Sequence, residues 1–308
     1  MKGKAPRAPV LSVIVVIFDM RREAERTLLT LSSSYQQEID SQDYEVIVVD
    51  NGSSPPFPSQ LAESLGNNFR TFYIEAASPS PAAALNFGVR QSKGENLGLI
   101  ADGARIVTPR LLGFARRSFA AFANPVCTAL AFHLGPDLHR RAVLNGHTQA
   151  EEDRLLAQID WPDNGYRLFE IATLGGSSRR GYFLPKCESS TLFVRRTLFD
   201  QLGGYDERFD EPGGGYVNHD FYLRAVNRSD TDLVMLLGEG SFHQMHGGAM
   251  TGAPLDDAQR KTRRWSRQYQ HITGRKLALP TKNTHYLGHL PPEAASVLAI
   301  SLREALEP

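Results

Sequence analysis

The sequence predicts an α/β protein with a mostly parallel sheet flanked by helices. Three observations carry that expectation. Over the first hundred residues, Val- and Ile-rich runs of strand length alternate with segments of helical period. Three of those runs end beside a carboxylate, Asp19, Asp50 or Asp102, in turn-forming stretches. The intervening segments provide the right-handed crossovers that join parallel strands.

Val10–Phe18 is apolar at nearly every position, the pattern of a strand buried on both faces. Lys2, Lys4 and Arg7 in front of it imitate the charged start of a secretion signal. The run continues into Asp19, Arg21 and Arg22 without a small-residue cleavage site, so a strand is the better reading. Arg22–Tyr35 places Ala24, Leu28, Leu31 and Tyr35 at helical spacing. Tyr44–Val49 is a second strand, closed by Asp50-Asn51-Gly52-Ser53-Ser54. Arg70–Glu75 is a third. Pro81 opens a helix that runs to about Gln91 and stops at Gly94. Asn96–Ala101 is a fourth strand. Further on, Thr128–Leu134, Ser189–Val194 and Leu233–Leu237 read as strands. Glu151–Ile159, Arg196–Leu202, Val217–Val226 and Asp256–Ile272 read as helices. Gly175–Arg180 and Gly213-Gly214-Gly215 read as mobile loops, the second able to close over a substrate. The last thirty-odd residues show no clear period.

Composition narrows the function. In 308 residues, 34 Lys+Arg balance 34 Asp+Glu, which removes the main reason to expect a nucleic-acid binder. The two cysteines, Cys127 and Cys187, are far apart and form no disulfide framework; they suit a reducing, cytoplasmic setting. No apolar run reaches the roughly 18 residues that span a bilayer, so any membrane contact is expected to be peripheral.

Ligands of open parallel sheets bind at the carboxyl ends of the strands, where Asp19, Asp50 and Asp102 fall. Phe18-Asp19-Met20-Arg21-Arg22 lacks the glycines of a dinucleotide fingerprint, and no Walker-type loop occurs. A bound nucleotide would therefore need a metal or cations for its diphosphate.

Five blocks in order extend this reading. They are Val13–Leu28 with Val46-Ile47-Val48-Val49-Asp50-Asn51-Gly52-Ser53, then Ala83-Ala84-Leu85-Asn86-Phe87-Gly88, then Leu99-Ile100-Ala101-Asp102-Gly103-Ala104, then Phe199–Phe209, then Asn218-His219-Asp220-Phe221-Tyr222-Leu223-Arg224. Together, over roughly residues 10–250, they resemble the family-2 glycosyltransferases with the GT-A fold. That resemblance implies a Rossmann-type, mostly parallel sheet with a C-terminal helical extension. It implies a nucleotide-sugar half (1–104), an acceptor and catalytic half (105–250) and an extension (251–308). It implies an inverting enzyme that moves a sugar from a nucleoside diphosphate, UDP by preference, to a glycan or other acceptor hydroxyl in bacterial surface polysaccharide or glycan synthesis. The nucleotide-sugar would meet Ile17, Phe18, Asp19, Asp50, Asn51, Ser53, Asn86, Asp102 and Gly103. Asp220 would be the base, and Asp102 with His246 and His243 would hold Mg²⁺ or Mn²⁺.

The chemistry fits these residue types. A carboxylate in reach of an acceptor hydroxyl gains about 10²–10⁴-fold by taking its proton. A divalent ion stabilises the departing diphosphate by several kcal/mol. Two positions depart from the family pattern. Ala101-Asp102-Gly103 stands for Asp-x-Asp, and His219-Asp220 stands for Glu-Asp. Arg105, His243 and His246 are the cations that would replace or support the metal. The lost carboxylates keep a rival open, a degenerate GT-A module that binds nucleotide without turnover. A nucleotidyltransferase is the remoter alternative. His133, His139 and His147 read as surface or core residues; Trp161 and Tyr166 could stack on an acceptor sugar, but a core role is the commoner one for Trp and Tyr.

Overall fold

The computed structural model describes residues 8–248 and 254–307. Lys2, Lys4 and Arg7 of the leader-like start lie outside the described residues, as does the expected boundary at 250. Ten strands occur among the described residues: β1 (Leu11–Ile17), β2 (Tyr44–Asp50), β3 (Phe69–Tyr73), β4 (Asn96–Ile100), β5 (Arg105–Val107), β6 (Pro125–Leu134), β7 (Ala172–Leu174), β8 (Leu192–Arg195), β9 (Asp232–His243) and β10 (Thr284–Gly288). Eight of them line up as β10-β9-β6-β8-β4-β1-β2-β3, and β8 alone runs against its neighbours. The sheet is thus the mostly parallel one expected. β5 and β7 attach antiparallel to β9 and β6.

Alternation along β1 sorts the core onto two faces. Val13, Val15 and Ile17 pack with Ala24 and Leu28 of helix Arg21–Thr30 and with Leu112 and Ala115 of helix Leu111–Ala121. Ile14 and Val16 face Ala84 and Leu85 of helix Ala82–Gln91 and Phe221 of helix Val217–Val226. Each fully buried aliphatic side chain contributes about 1.5–3 kcal/mol. At Gly88 a Cβ would stand 2.5 Å from Ile14 Cγ2 and 3.1 Å from Val49 Cγ2. The helix therefore rides directly on two stiff, β-branched side chains. Gly88→Ala is expected to destabilise the fold by about 1–3 kcal/mol through overpacking, read from the urea midpoint.

The largest departure from expectation is β9. Only Leu233–Leu237 reads as a strand in the sequence, because Gly238-Glu239-Gly240 looks like a turn. In the structure Gly238 adopts φ +73° and the chain bulges. Pairing with β6 jumps from Thr128–Met235 to Leu130–Gly240, and the strand continues to His243. Glu239 is fully buried there, held by the Thr108 hydroxyl and by the Tyr166 hydroxyl at 2.8 Å. Burial raises its pKa to about 7 against those hydrogen bonds. Trp161 and Tyr166 are core residues.

The C-terminal region is not only helical. Helix Leu255–Thr273 is followed by β10, which joins the sheet parallel to β9, and then by helix Ala295–Leu306. β10 is half exposed and too polar to carry a strand signal. Pro212–Gly214 forms a tight turn whose Gly213 amide donates to Pro79 O at 3.0 Å, so the glycine run is packed in place. No helix of the described residues is long and apolar enough to cross a membrane.

Candidate active site

Parallel pairing sets Ile17 beside Asp50 at the carboxyl end of β1 and β2. Asp50 is 1% exposed. Its Oδ1 accepts the Ser53 amide at 2.9 Å and its Oδ2 accepts the Phe57 amide at 2.7 Å. Asp19 donates its amide to Ser53 Oγ at 2.9 Å and accepts the Ser54 amide at 2.9 Å. Asn51 donates its amide to Ile17 O at 2.8 Å and its side chain to Ser78 O at 2.8 Å. The two loops are thereby stitched around a cavity of about 250 Å³, lined by Ile17, Asp19, Met20, Ser53, Pro55 and Phe57. Phe18 stands 52% exposed beside it. Both Asp50 oxygens point into the loop, so this carboxylate shapes the cavity rather than lining it. Asp50→Ala would strand two amides and is expected to cost about 2–4 kcal/mol of stability, measured by urea denaturation.

Asn86 is a correction. Its Oδ1 accepts the Tyr205 amide at 2.9 Å, and its Nδ2 donates to Tyr205 O at 2.9 Å and Glu207 at 2.8 Å. With these polar atoms committed, it fastens the 204–207 turn and leaves the nucleotide side to others.

Asp102 follows β4 at the same sheet edge. The Gly103 amide donates to Val16 O at 2.8 Å, and a Cβ on Gly103 would meet that oxygen at 2.9 Å. Only glycine lets this loop lie flat on β1. From the other side, antiparallel pairing of β5 with β9 sets Arg105 opposite His243. Asp102 Oδ2 lies 2.8 Å from His243 Nε2 and 3.6 Å from Arg105 Nε, and Oδ1 lies 3.7 Å from His246 Nε2. The two Nε2 atoms are 3.0 Å apart.

Burial opposes the Asp102 charge, but the facing His243 and His246 hold its pKa well below the usual carboxylate value. Burial, with Arg105, pushes His243 down to about 4. For His246 burial acts downward, yet Asp102 outweighs it and raises the pKa. Ligands about 2.1 Å from one ion sit roughly 3.0–3.4 Å apart. Asp102, His243 and His246 therefore fit a divalent cation, and their mixed N/O donors suit Mn²⁺ better than Mg²⁺.

The loop carrying His246 is held by residues that sequence reasoning did not single out. Glu152 accepts the Met245 amide at 2.6 Å, Arg22 and Gln149 donate to Met245 O, and Gln244 donates to Glu23 O. Of these side chains, Glu152 alone is a buried polar residue on a helix; Arg22 is half-buried, Gln149 is exposed and Gln244 lies in the loop, so no local pattern marks them as a group. His139 is buried and His133 half-buried, within the surface-or-core expectation, and both converge on His243, with ring centroids 5.1 and 5.2 Å from it. His147 stacks at 6.4 Å on His139 and lines a cavity of about 790 Å³ with Asp137, Asn145, Glu151, Glu170 and Thr173.

Asp220 is 4% exposed near the start of helix Val217–Val226. Its Oδ2 accepts Arg224 Nε at 2.7 Å, and Arg224 also donates to Leu202 O and Gly204 O. Burial raises the Asp220 pKa, and Arg224 offsets part of that rise. His219 Nδ1 and Asn218 Oδ1 next to it are buried without a hydrogen-bond partner. Asp220 pairs with Arg224, whereas Asp102 pairs with Arg105, His243 and His246, so the two carboxylates belong to separate ion-pair clusters. Leu99 pairs with Leu192, so the residues ahead of β8, including Glu188, emerge at the same sheet edge as Asp102. His219 lies within electrostatic reach of Glu188.

Residues 12–109 match the family described as Glycosyl transferase family 2. No curated protein sequence matches the chain. Among solved structures, S. aureus TarS 1–349 in complex with UDP-GlcNAc is similar at a TM-score of 0.54 and 16% identity, over 96% of this chain and 72% of that one. The mannosyltransferase PcManGT from Pyrobaculum calidifontis, in complex with GDP-Man and Mn²⁺, is similar at 0.52 and 15%, over 98% and 71%. At these identities the likeness shows a shared fold.

Proposed function

We propose, on the match of residues 12–109 to the family 2 glycosyltransferases, that this chain transfers a sugar, with inversion, from a UDP-sugar to an acceptor hydroxyl. One observation carries the reading. Asp102, His243 and His246 converge at the sheet edge onto which the cavity between the β1 and β2 loops also opens. The cavity suits a nucleoside, and the cluster suits the diphosphate with its metal. TarS is described with UDP-GlcNAc and PcManGT with GDP-Man and Mn²⁺, which supports a nucleotide-sugar and Mn²⁺ while leaving the base to be tested.

Asp102, His243 and His246 would hold the divalent ion, which would supply positive charge to the leaving diphosphate. The protein's own side chains do the rest. Arg105 adds a fixed cation beside Asp102. Asp220 takes the acceptor proton: Arg224 anchors its Oδ2 and leaves Oδ1 without a protein partner, while burial makes it more basic than an ordinary carboxylate. His219 is the second reading for that role, because its Nδ1 is buried and unpaired. The 790 Å³ cavity at His147, lined by carboxylates and amides, suits a hydroxyl-rich acceptor. A cytoplasmic enzyme of polysaccharide or glycan synthesis, resting at most on the membrane surface, fits this set.

A thermal-shift screen of UDP-, GDP- and dTDP-sugars with and without Mn²⁺ tests the donor. Stabilisation by a UDP-sugar, stronger with Mn²⁺, is expected, because a ligand of the native state raises its melting temperature. A shift with GDP-sugars alone moves the donor to GDP, and binding without release of nucleotide to any acceptor supports the degenerate module. Mn²⁺ affinity is expected to fall as the pH drops through the raised pKa of His246, since the proton and the ion compete for Nε2. His243, already neutral, adds no competition there. Calorimetry at pH 6 and pH 8 reads the difference.

A further inference from the structure

Beyond the Asp102 cluster, the geometry points to a second metal site, formed by His133, His139 and His243 and suited to a borderline transition ion such as Zn²⁺. One nitrogen from each ring can be chosen so that all three lie within 4.8 Å of one another. The rings are packed as ligands of one ion would be. Three imidazoles bound tetrahedrally at about 2.05 Å have centroids roughly 5.2 Å apart. The observed separations are 4.4 Å for His133–His139, 5.2 Å for His133–His243 and 5.1 Å for His139–His243.

An independent observation comes from the hydrogen bonds. His139 is 1% exposed, and its Nδ1 is buried with no partner. Its other nitrogen, Nε2, sits 3.1 Å from Leu134 O and so carries the proton. His243 shows the same polarity: Nδ1 is buried and unpaired, while Nε2 faces Asp102 Oδ2 at 2.8 Å. A metal-bound imidazole normally donates its second N–H to a backbone carbonyl or a carboxylate. Both rings thus keep one buried nitrogen unpaired while the other nitrogen is engaged by a carbonyl or a carboxylate.

The fold explains the convergence. His133 and His243 are register partners on β6 and β9, and His139 opens the helix His139–Leu144 that follows β6. His133 is only partly buried, which provides the approach for an ion. His133 Nδ1 takes the His139 amide in a long contact of 3.3 Å that a bound ion would displace; three imidazole nitrogens and one open position then match Zn²⁺ rather than the oxygen-seeking Mg²⁺. His243 serves one ion at a time: with Nδ1 on this site its Nε2–H faces Asp102 as outer partner, and with Nε2 on the Asp102 site this one is empty.

The test is metal binding on the full chain and needs no sugar substrate, so its failure is separate from failure of the glycosyl-transfer reading. Apo protein is titrated with Zn²⁺ against a chromophoric chelator and with Co²⁺ in the visible range. Expected is a Zn²⁺ site that weakens at least about 10–100-fold in His133→Ala, together with loss of four-coordinate Co²⁺ bands, while His246→Ala keeps both. His133→Ala is the primary variant because a partly exposed position tolerates truncation, and circular dichroism checks its fold. His139→Gln is the second, expected to behave alike. Unchanged Zn²⁺ affinity and Co²⁺ bands in folded His133→Ala would overturn the site. So would loss in His246→Ala alone, which would place the ion at Asp102.

Discussion

Asp102→Asn is expected to lower sugar transfer by about 10³-fold while leaving the fold intact. The magnitude follows from the several kcal/mol that a bound divalent ion contributes to a departing diphosphate, at tenfold per 1.4 kcal/mol. Asparagine keeps the volume and can still accept the Ala104 amide that Asp102 Oδ1 accepts at 3.1 Å. It removes the charge that faces His243, His246 and Arg105. Mn²⁺ affinity should fall with activity. The His246 pKa, raised by Asp102, should drop back, which NMR titration of the ring reads directly. Full activity in a variant that no longer binds Mn²⁺ would show that Arg105 and the histidines neutralise the diphosphate unaided.

Asp220→Asn is expected to reduce kcat by about 10²–10⁴-fold with little change in donor affinity, the signature of a base acting on the acceptor. The carboxylate also anchors Arg224, which in turn holds the carbonyls of Leu202 and Gly204. A purely structural role would therefore appear as a lower melting temperature with kcat kept in the folded fraction. His219→Gln separates the two readings. If that variant carries the kcat loss and Asp220→Asn does not, the proton passes to His219.

The amino-acid pattern made the sheet's first half readable because β1, β2 and β4 are buried on both faces, which leaves Val/Ile runs in β1 and β2 and a short Leu-Gly-Leu-Ile run in β4. Asp19, Asp50 and Asp102 could be placed at strand ends for the same reason. What those carboxylates do was less legible. Asp50 reads as a ligand, but the amides it serves are three and seven residues away, a distance that folds into contact only through the Ser53–Phe57 loop. Asn86 misled in the same way, since Tyr205 and Glu207 are more than a hundred residues distant. The histidine cluster was hidden by β9. Gly238-Glu239-Gly240 looks like the end of a strand, and the bulge that carries the chain on to His243 depends on burying Glu239 against Thr108 and Tyr166. The partnership of His133 with His243 is a fact of strand register across more than a hundred residues, which no local period encodes.

The pairing of β10 with β9 has a bearing on how the molecule behaves outside its own reaction. β9 delivers His243, and its outer flank from Leu233 to Leu237 is sealed by Thr284–Gly288. Peeling that short, half-exposed cover away would bare a row of unsatisfied amides and carbonyls along Leu233–Leu237, a stretch whose side chains are all apolar. Another copy could then dock there by edge addition, and the self-association would begin from the flank of the strand that also carries His243.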